Sequence, residues 1–178
     1  MEVISVKHKA DIIKGEYQFA DKVKSEVLSL LNKGVVAIPQ NNSNVKASLH
    51  TEWNWEPDNI TLRNIKGFIK EEIERYYKPG ARSGGSRLRL NNENFWANVY
   101  KKGDYAQSHC HKPNDFSFAY FVKSKWYYPP LVFTDSGKGI RPKEGTFVAF
   151  PAYLMHHVPK HRYKDTRITL SGNLRINR

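Results

Sequence analysis

Gly145-Thr-Phe-Val-Ala-Phe-Pro-Ala-Tyr-Leu-Met-His156-His157-Val-Pro159 and, a little further on, Arg167-Ile168-Thr169-Leu170-Ser171-Gly172-Asn173 are the stretches whose reading decides the fold. The second alternates polar and apolar residues in strict period 2, so Arg167, Thr169, Ser171 and Asn173 share one face of a strand while Ile168 and Leu170 take the other. The first is a buried-looking strand from Thr146 to Phe150, followed by a turn and two histidines. Upstream, strand-like runs lie at Leu131–Thr134, Phe116–Lys123 and Phe95–Lys101. Turn signals separate them at Glu144-Gly145, Ser136-Gly137-Lys138-Gly139 and Lys102-Gly103-Asp104. No long helical period interrupts this half of the chain. A succession of short strands without helices between them predicts a mainly β antiparallel sandwich or barrel, of which the jelly roll is one solution.

The helical signals lie further upstream. Asp21–Lys33 places Val23, Val27, Leu30 and Leu31 on one face, with Asp21 as the expected N-cap and Gly34 just past the end. A second helix is expected from about Ile60 to Tyr77, with Ile65, Phe68, Ile69, Ile73 and Tyr76 on its apolar face. Asp58 or Asn59 can cap it and Pro79-Gly80 stops it. Between the helices Gly34-Val-Val-Ala-Ile-Pro39 reads as a short strand, followed by a polar loop over Asn41–Asn44. The expectation is one domain over 1–178, with a helical N-terminal half of about 1–80 packed outside a β core of about 81–178.

Composition bounds the function classes. At 39% hydrophobic and 26% charged, with no low-complexity tract, the 178 residues read as a folded globular chain and not a disordered or fibrous one. Val35–Ile38 and Phe147–Pro151 are far shorter than the run of about 20 apolar residues that spans a bilayer. The N-terminus has no apolar block of the secretory kind, and the single Cys110 allows no internal disulfide, so the expected location is a reducing cytoplasm. The formal charge of +12 fits either a solvated surface or an anionic partner. For a nucleic-acid partner the first residues to consider are Lys78, Arg82, Arg87 and Arg89, around a Gly/Ser-rich loop over Lys78–Ser86 where an enzyme could also keep a lid.

Five of the seven histidines fall between positions 109 and 161. If Ser108-His109-Cys110-His111 is extended, His109 and His111 project from one face and two imidazoles can grip one metal ion. His156 follows a strand and a turn, where a neighbouring strand can supply a third ligand, and three facial ligands leave positions open for substrates. Arg167, beside hydroxyls on an inward face, suggests a carboxylate clamp, because guanidinium offers a bidentate fork. The competing readings are a polar strand end for the histidines and an exterior polar face for Arg167.

These residues resemble the iron(II)- and 2-oxoglutarate-dependent oxygenases, built on a double-stranded β-helix. The resemblance covers roughly Phe95 to Asn173 and is closest to the small branch common in bacteriophages and marine bacteria. It is carried by Trp96-Ala-Asn98, Gly103-Asp104-Tyr105, His109-Cys-His111, Tyr120-Phe121-Val122-Lys123, Phe150-Pro151 with Leu154, His156, Val158 and Pro159, and the Arg167–Asn173 strand. The resemblance implies an Fe(II) site at His109, His111 and His156, with Arg167 pairing the far carboxylate of 2-oxoglutarate. It further implies that Thr169 and Tyr100 assist that pairing and that Asn98 or Asn173 lines the site. Such enzymes decarboxylate 2-oxoglutarate to succinate and hydroxylate a substrate C–H bond. A peptidyl residue, a free amino acid and a small metabolite all remain open as substrate, and nucleic acid is the less favoured partner.

Several alternatives stand beside that reading. The superfamily at large has a carboxylate where this chain has His111, a three-histidine set suits zinc equally well, and Asp115 supplies a carboxylate if the chain turns back. His157 competes with His156, although adjacent strand residues point oppositely. The spacing also suits a cupin-type metalloenzyme, and a catalytically silent basic binding module is the third class. Trp126-Tyr127-Tyr128-Pro129-Pro130 reads as a corner packed on the core or as a stacking platform, and Leu49–Trp55 as a strand or a lid. His8, His50 and His161 read as surface or core residues, and Cys110 as packed away from the metal.

Overall fold

The computed structural model describes residues 10–39, 43–77 and 88–177. The Gly/Ser/Arg-rich loop with Lys78, Arg82 and Arg87, the Pro79-Gly80 stop, His8 and the N-terminal stretch lie outside the described residues.

Among the described residues eleven strands and two helices follow one another as β1 (Ile13–Glu16), α1 (Ala20–Asn32), β2 (Val45–Lys46), β3 (Leu49–His50), α2 (Ile60–Tyr76), β4 (Leu90–Tyr100), β5 (Tyr105–His109), β6 (Phe116–Lys123), β7 (Leu131–Phe133), β8 (Lys138–Ile140), β9 (Thr146–Pro151), β10 (His156–Val158) and β11 (Arg167–Ile176). They pair antiparallel into two sheets, a major one in the order β1-β9-β6-β11-β4-β3 and a minor one in the order β2-β5-β10-β7-β8. Consecutive strands alternate between the sheets from β4 to β6 and again from β9 to β11, which winds the chain around a common interior. The mainly β architecture with two helices outside is the expected one. No helix among the described residues is long and apolar enough to cross a membrane.

The central strands β6 and β9 of the major sheet are buried on both faces, and this explains why they read as near-continuous apolar runs. On the outer face Phe95, Ala97, Tyr120, Phe147, Ile168 and Leu170 pack against Val23 and Val27 of α1 and Ile65, Ile69 and Ile73 of α2. On the inner face Tyr100, Phe121, Val148 and Phe150 meet Val45, Ala106, Leu131, Phe133 and Val158 of the minor sheet. Strand β11 divides accordingly, with Ile168 and Leu170 toward the helices and Arg167, Thr169 and Ser171 toward the interior.

Three local expectations are corrected. Helix α1 begins at Ala20 with Phe19 in the N-cap position and no side-chain cap, so Asp21 sits in the first turn and complements the helix dipole there. The start is set from outside the helix, because the Tyr17 amide donates to the Gly145 carbonyl at 2.9 Å and fixes the approach of the chain. Asn59 does cap α2, accepting from the Leu62 amide at 3.1 Å. Residues 34–39 are not a strand: Ala37 forms an isolated bridge to Thr51, and Val36 is exposed. The N-terminal half is not purely helical either, since β1 closes one edge of the major sheet against β9 and β2 adds to β5.

Candidate metal centre and adjoining cleft

Strand β5 ends at His109 and β10 begins at His156, and the two residues face each other in register. His111 lies just beyond β5, where its amide donates to the Ala152 carbonyl at 2.8 Å. The expected extended His-x-His is thus replaced by a strand end and the turn after it. One ligand atom from each of His109, His111 and His156 lies within 4.8 Å of the others. His109 and His156 have ring centroids 4.4 Å apart, and His111 stands 4.9 Å from the first and 5.1 Å from the second.

Hydrogen bonds fix which nitrogens face one another. His109 Nδ1 lies 2.6 Å from the Gln107 carbonyl and His156 Nδ1 2.8 Å from the Leu154 carbonyl. A carbonyl oxygen only accepts, so both Nδ1 atoms carry the proton and both Nε2 atoms are left as lone-pair donors. Burial pushes all three imidazoles toward the neutral form, His111 to about 2 and His156 to about 4, with the neighbouring rings adding to the effect. Three converging neutral imidazoles with oriented tautomers fit a divalent first-row metal ion.

Asp115 does not join this group. Its carboxylate accepts from the Ile176 amide at 2.8 Å and its own amide donates to the Leu174 carbonyl at 3.0 Å, which commits it to the far end of β11. His157 points away from His156, with Nδ1 3.4 Å from Thr134 Oγ1. His50 is buried between Trp53 and Trp96, and His161 is buried with Nε2 2.7 Å from the Asp165 carbonyl. Cys110 is half-buried, outside the histidine group, and borders the outer cleft.

Behind the histidines the interior of the barrel is lined by Asn98, Tyr100, Thr169, Ser171 and Arg167. Arg167 is 2% exposed, yet none of the ion pairs among the described residues includes it. One terminal nitrogen donates to the Pro129 carbonyl at 2.7 Å, and the guanidinium carbon lies 5.5 Å from the ring centroids of both Tyr100 and Phe121. Its Nε finds no partner among the described residues, and the same holds for Asn98 Oδ1 and Trp96 Nε1. Burial lowers the Arg167 pKa and raises that of the Tyr100 phenol to about 12, so at neutral pH the latter remains an un-ionised donor. Asn173 lies further along β11, held by Ser117 at 2.8 Å and Asn94 at 3.1 Å, and reaches the outer cleft and not the Arg167 end.

That outer cleft, about 480 Å³, opens beside His109 and His111 and is walled by Lys46, Trp53, Trp96, Gln107, Lys112 and Asn114. Reading the sequence singled out neither lysine. Lys112 follows directly on His111, whereas the contribution of Lys46 depends on how residues 45–55 run along the edges of the two sheets, with Thr51 donating to Ala97 and Phe95 donating to Trp53. The only signal in the sequence was the alternation over Leu49–Trp55, which the structure resolves as an edge segment beside β4 with Trp53 on the cleft.

No protein-family model matches the chain. No curated protein matches it either. Solved structures do. The chain is similar to the viral collagen prolyl hydroxylase vCPH from Paramecium Bursaria Chlorella virus-1 in its 2OG complex, with a TM-score of 0.67 and 15% identity over 92% of this chain and 94% of that one. A prolyl hydroxylase from Trichoplax adhaerens, in complex with a hypoxia inducible factor peptide fragment, gives a TM-score of 0.65 and 12% identity over 92% and 82% of the two chains. HygX from Streptomyces hygroscopicus, with nickel and 2-oxoglutarate bound, gives 0.66 and 7% over 93% and 82%. At identities this low the likeness speaks for architecture, and on it the chain has the double-stranded β-helix fold of the 2OG-Fe(II) oxygenases.

Proposed function

We propose that the chain is an Fe(II)- and 2-oxoglutarate-dependent oxygenase that hydroxylates a peptidyl residue. The observation that carries this is the pairing of a three-histidine group with a buried arginine that has no anion beside it among the described residues. A desolvated guanidinium without a counter-ion is costly, and a bound carboxylate removes that cost. His109, His111 and His156 would hold the metal, and Arg167 would take the far carboxylate of 2-oxoglutarate with its fork of donors, aided by Thr169 and the un-ionised Tyr100. With both groups bound, O₂ would convert 2-oxoglutarate to succinate and CO₂ and leave one oxygen atom in a substrate C–H bond.

The chain's own residues do the positioning. The carbonyls of Gln107 and Leu154 hold two imidazole tautomers, and the backbone of Ala152 holds the loop that carries His111. Tyr100 and Phe121 sandwich the guanidinium and keep water from it. Asn98 Oδ1 and Trp96 Nε1 offer an unpaired acceptor and donor to the bound groups. A peptide is supported as substrate by the open shape of the outer cleft and by the prolyl hydroxylases among the similar structures, one of them with a peptide fragment bound.

Anaerobic titration with Fe(II) and then 2-oxoglutarate, followed by the visible absorption of the chelate, tests the reading. Arg167→Ala is expected to weaken 2-oxoglutarate binding by about two orders of magnitude while leaving Fe(II) affinity nearly unchanged. Equal 2-oxoglutarate affinity in the two proteins would overturn it.

A further inference from the structure

Three loops meet at the end of the barrel remote from the histidines: 101–104 between β4 and β5, 124–130 between β6 and β7, and 159–166 between β10 and β11. They form one ledge. Gly103 donates to the His161 carbonyl at 2.7 Å and His161 donates to the Asp104 carbonyl at 2.7 Å. Lys125 pairs with Asp165 at 2.6 Å, and the Tyr163 hydroxyl donates to the Tyr127 carbonyl at 3.1 Å. Strand β5 runs from this ledge to His109, a distance of about 14 Å at about 3.4 Å per residue.

The ledge is cationic. Residues 101–104, 124–130 and 159–166 contain six lysines and arginines against two aspartates. Both aspartates are engaged, Asp165 with Lys125 and Asp104 with the Ser48 and Lys101 amides at 2.6 and 2.7 Å. Lys101, Lys102, Arg162 and Lys164 are exposed and enter no ion pair among the described residues.

It also presents aromatic rings that a merely solvated face does not need. Trp126 is 71% exposed and touches the ring of Tyr127 edge to face. Tyr163 is 37% exposed, backed by the buried Tyr128 at 5.2 Å and 29°. Tyr128 in turn stands edge-on to the buried His161. Tyr163 is braced from beneath by Tyr128, so stacking on it costs little ordering entropy. No aliphatic residue or phenylalanine joins them among the exposed large hydrophobics of this ledge, which separates it from a membrane-inserting ridge.

We propose that this ledge binds single-stranded nucleic acid, with its lysines and arginines along the phosphates and unpaired bases stacked on Trp126 and Tyr163. Free cations beside exposed rings are the two elements of such sites, and neither a duplex nor an acidic peptide offers flat faces to the rings. The proposal does not rest on the oxygenase reading, and its test needs neither metal nor cosubstrate.

The probe is a fluorescein-labelled oligo-dT of about 12 nucleotides, followed by polarisation on the full chain across a salt series. Binding is expected, with log affinity falling against log salt at a slope of about −2 to −3, as for three to four phosphate contacts. Trp126→Ala is expected to weaken binding about ten-fold and Trp126→Phe to keep most of it. Arg162→Ala combined with Lys164→Ala is expected to flatten the slope by about 1.4. Circular dichroism of each variant is expected to match that of the parent, since the substituted residues are exposed. Absence of binding at low salt, an unchanged affinity in Trp126→Ala, or equal affinity for polyglutamate or anionic vesicles would each overturn the proposal.

Discussion

On the proposed reading, Arg167 is a residue that costs stability and serves binding at once. It stands among Tyr100, Phe121 and the Pro129 carbonyl with no carboxylate in reach, and burial already lowers its pKa. Replacing it with Met removes the buried charge at the expense of one hydrogen bond to Pro129. Because an isolated buried charge costs more than a lost hydrogen bond, Arg167→Met is expected to match or exceed the parent in thermal midpoint without ligand. If 2-oxoglutarate pairs with Arg167 as proposed, it stabilises the parent and not this variant, and paired melting curves with and without it check both halves. The histidines call for the opposite pattern. His109→Ala or His156→Ala is expected to abolish stoichiometric Fe(II) binding with little change in circular dichroism, since the core of the sheet, not the metal, holds the fold. His111→Asp restores the commoner ligand set, and retained iron affinity, read by the same titration, is the expected outcome.

At the scale of elements, β11 carries both the core and the interior wall, and its glycine shows how tightly the outer face is filled. A Cβ at Gly172 would fall 2.6 Å from the Phe118 ring and 2.9 Å from the Asn94 carbonyl oxygen, a backbone atom that cannot swing aside. Gly172→Ala is therefore expected to cost about 1–3 kcal/mol, measured as a lower urea midpoint. Strand β11 was legible in the sequence through its strict alternation of polar and apolar residues, and Phe116–Lys123 through a nearly continuous apolar run broken only by Ser117 before the terminal lysine. The two-residue β2 and the three-residue β8 and β10 were not, since so few residues make no period and owe their pairing to distant partners, while β3 showed only within the alternation over Leu49–Trp55 that reads as a strand or a lid. The apolar run at 35–38 misled for the converse reason: residues 49–55 already line the edge of β4 beside it, leaving a single bridge at Ala37. The grouping of His109, His111 and His156 could be anticipated from spacing, whereas Lys46 and Trp53 reach the cleft through contacts across more than forty residues.

For the molecule as a whole, buried neutral histidines tie stability to pH. His50 is 2% exposed between Trp53 and Trp96, its Nδ1 is 2.5 Å from the Thr51 carbonyl, and its Nε2 has no partner among the described residues. Burial lowers its pKa below the ordinary 6.5. The unfolded chain therefore takes up a proton near pH 6.5 that the folded chain refuses, so stability is fully present above that pH and falls as the pH drops toward the folded value. One such group contributes a slope of about 1.4 kcal/mol per pH unit within that window. Metal-free protein is accordingly expected to lose urea resistance as the pH falls below 6.5, before most carboxylates begin to titrate. His50→Gln keeps a hydrogen-bonding side chain of similar reach without the titration, so it is expected to flatten the slope by about 1.4 kcal/mol per pH unit, whatever its effect at pH 7.5. The measurement is a set of urea unfolding curves for both proteins at pH 7.5, 6.5, 5.8 and 5, with chelator throughout. Parallel slopes would mean that His50 takes up its proton in the folded state and that the pocket between Trp53 and Trp96 admits the charge.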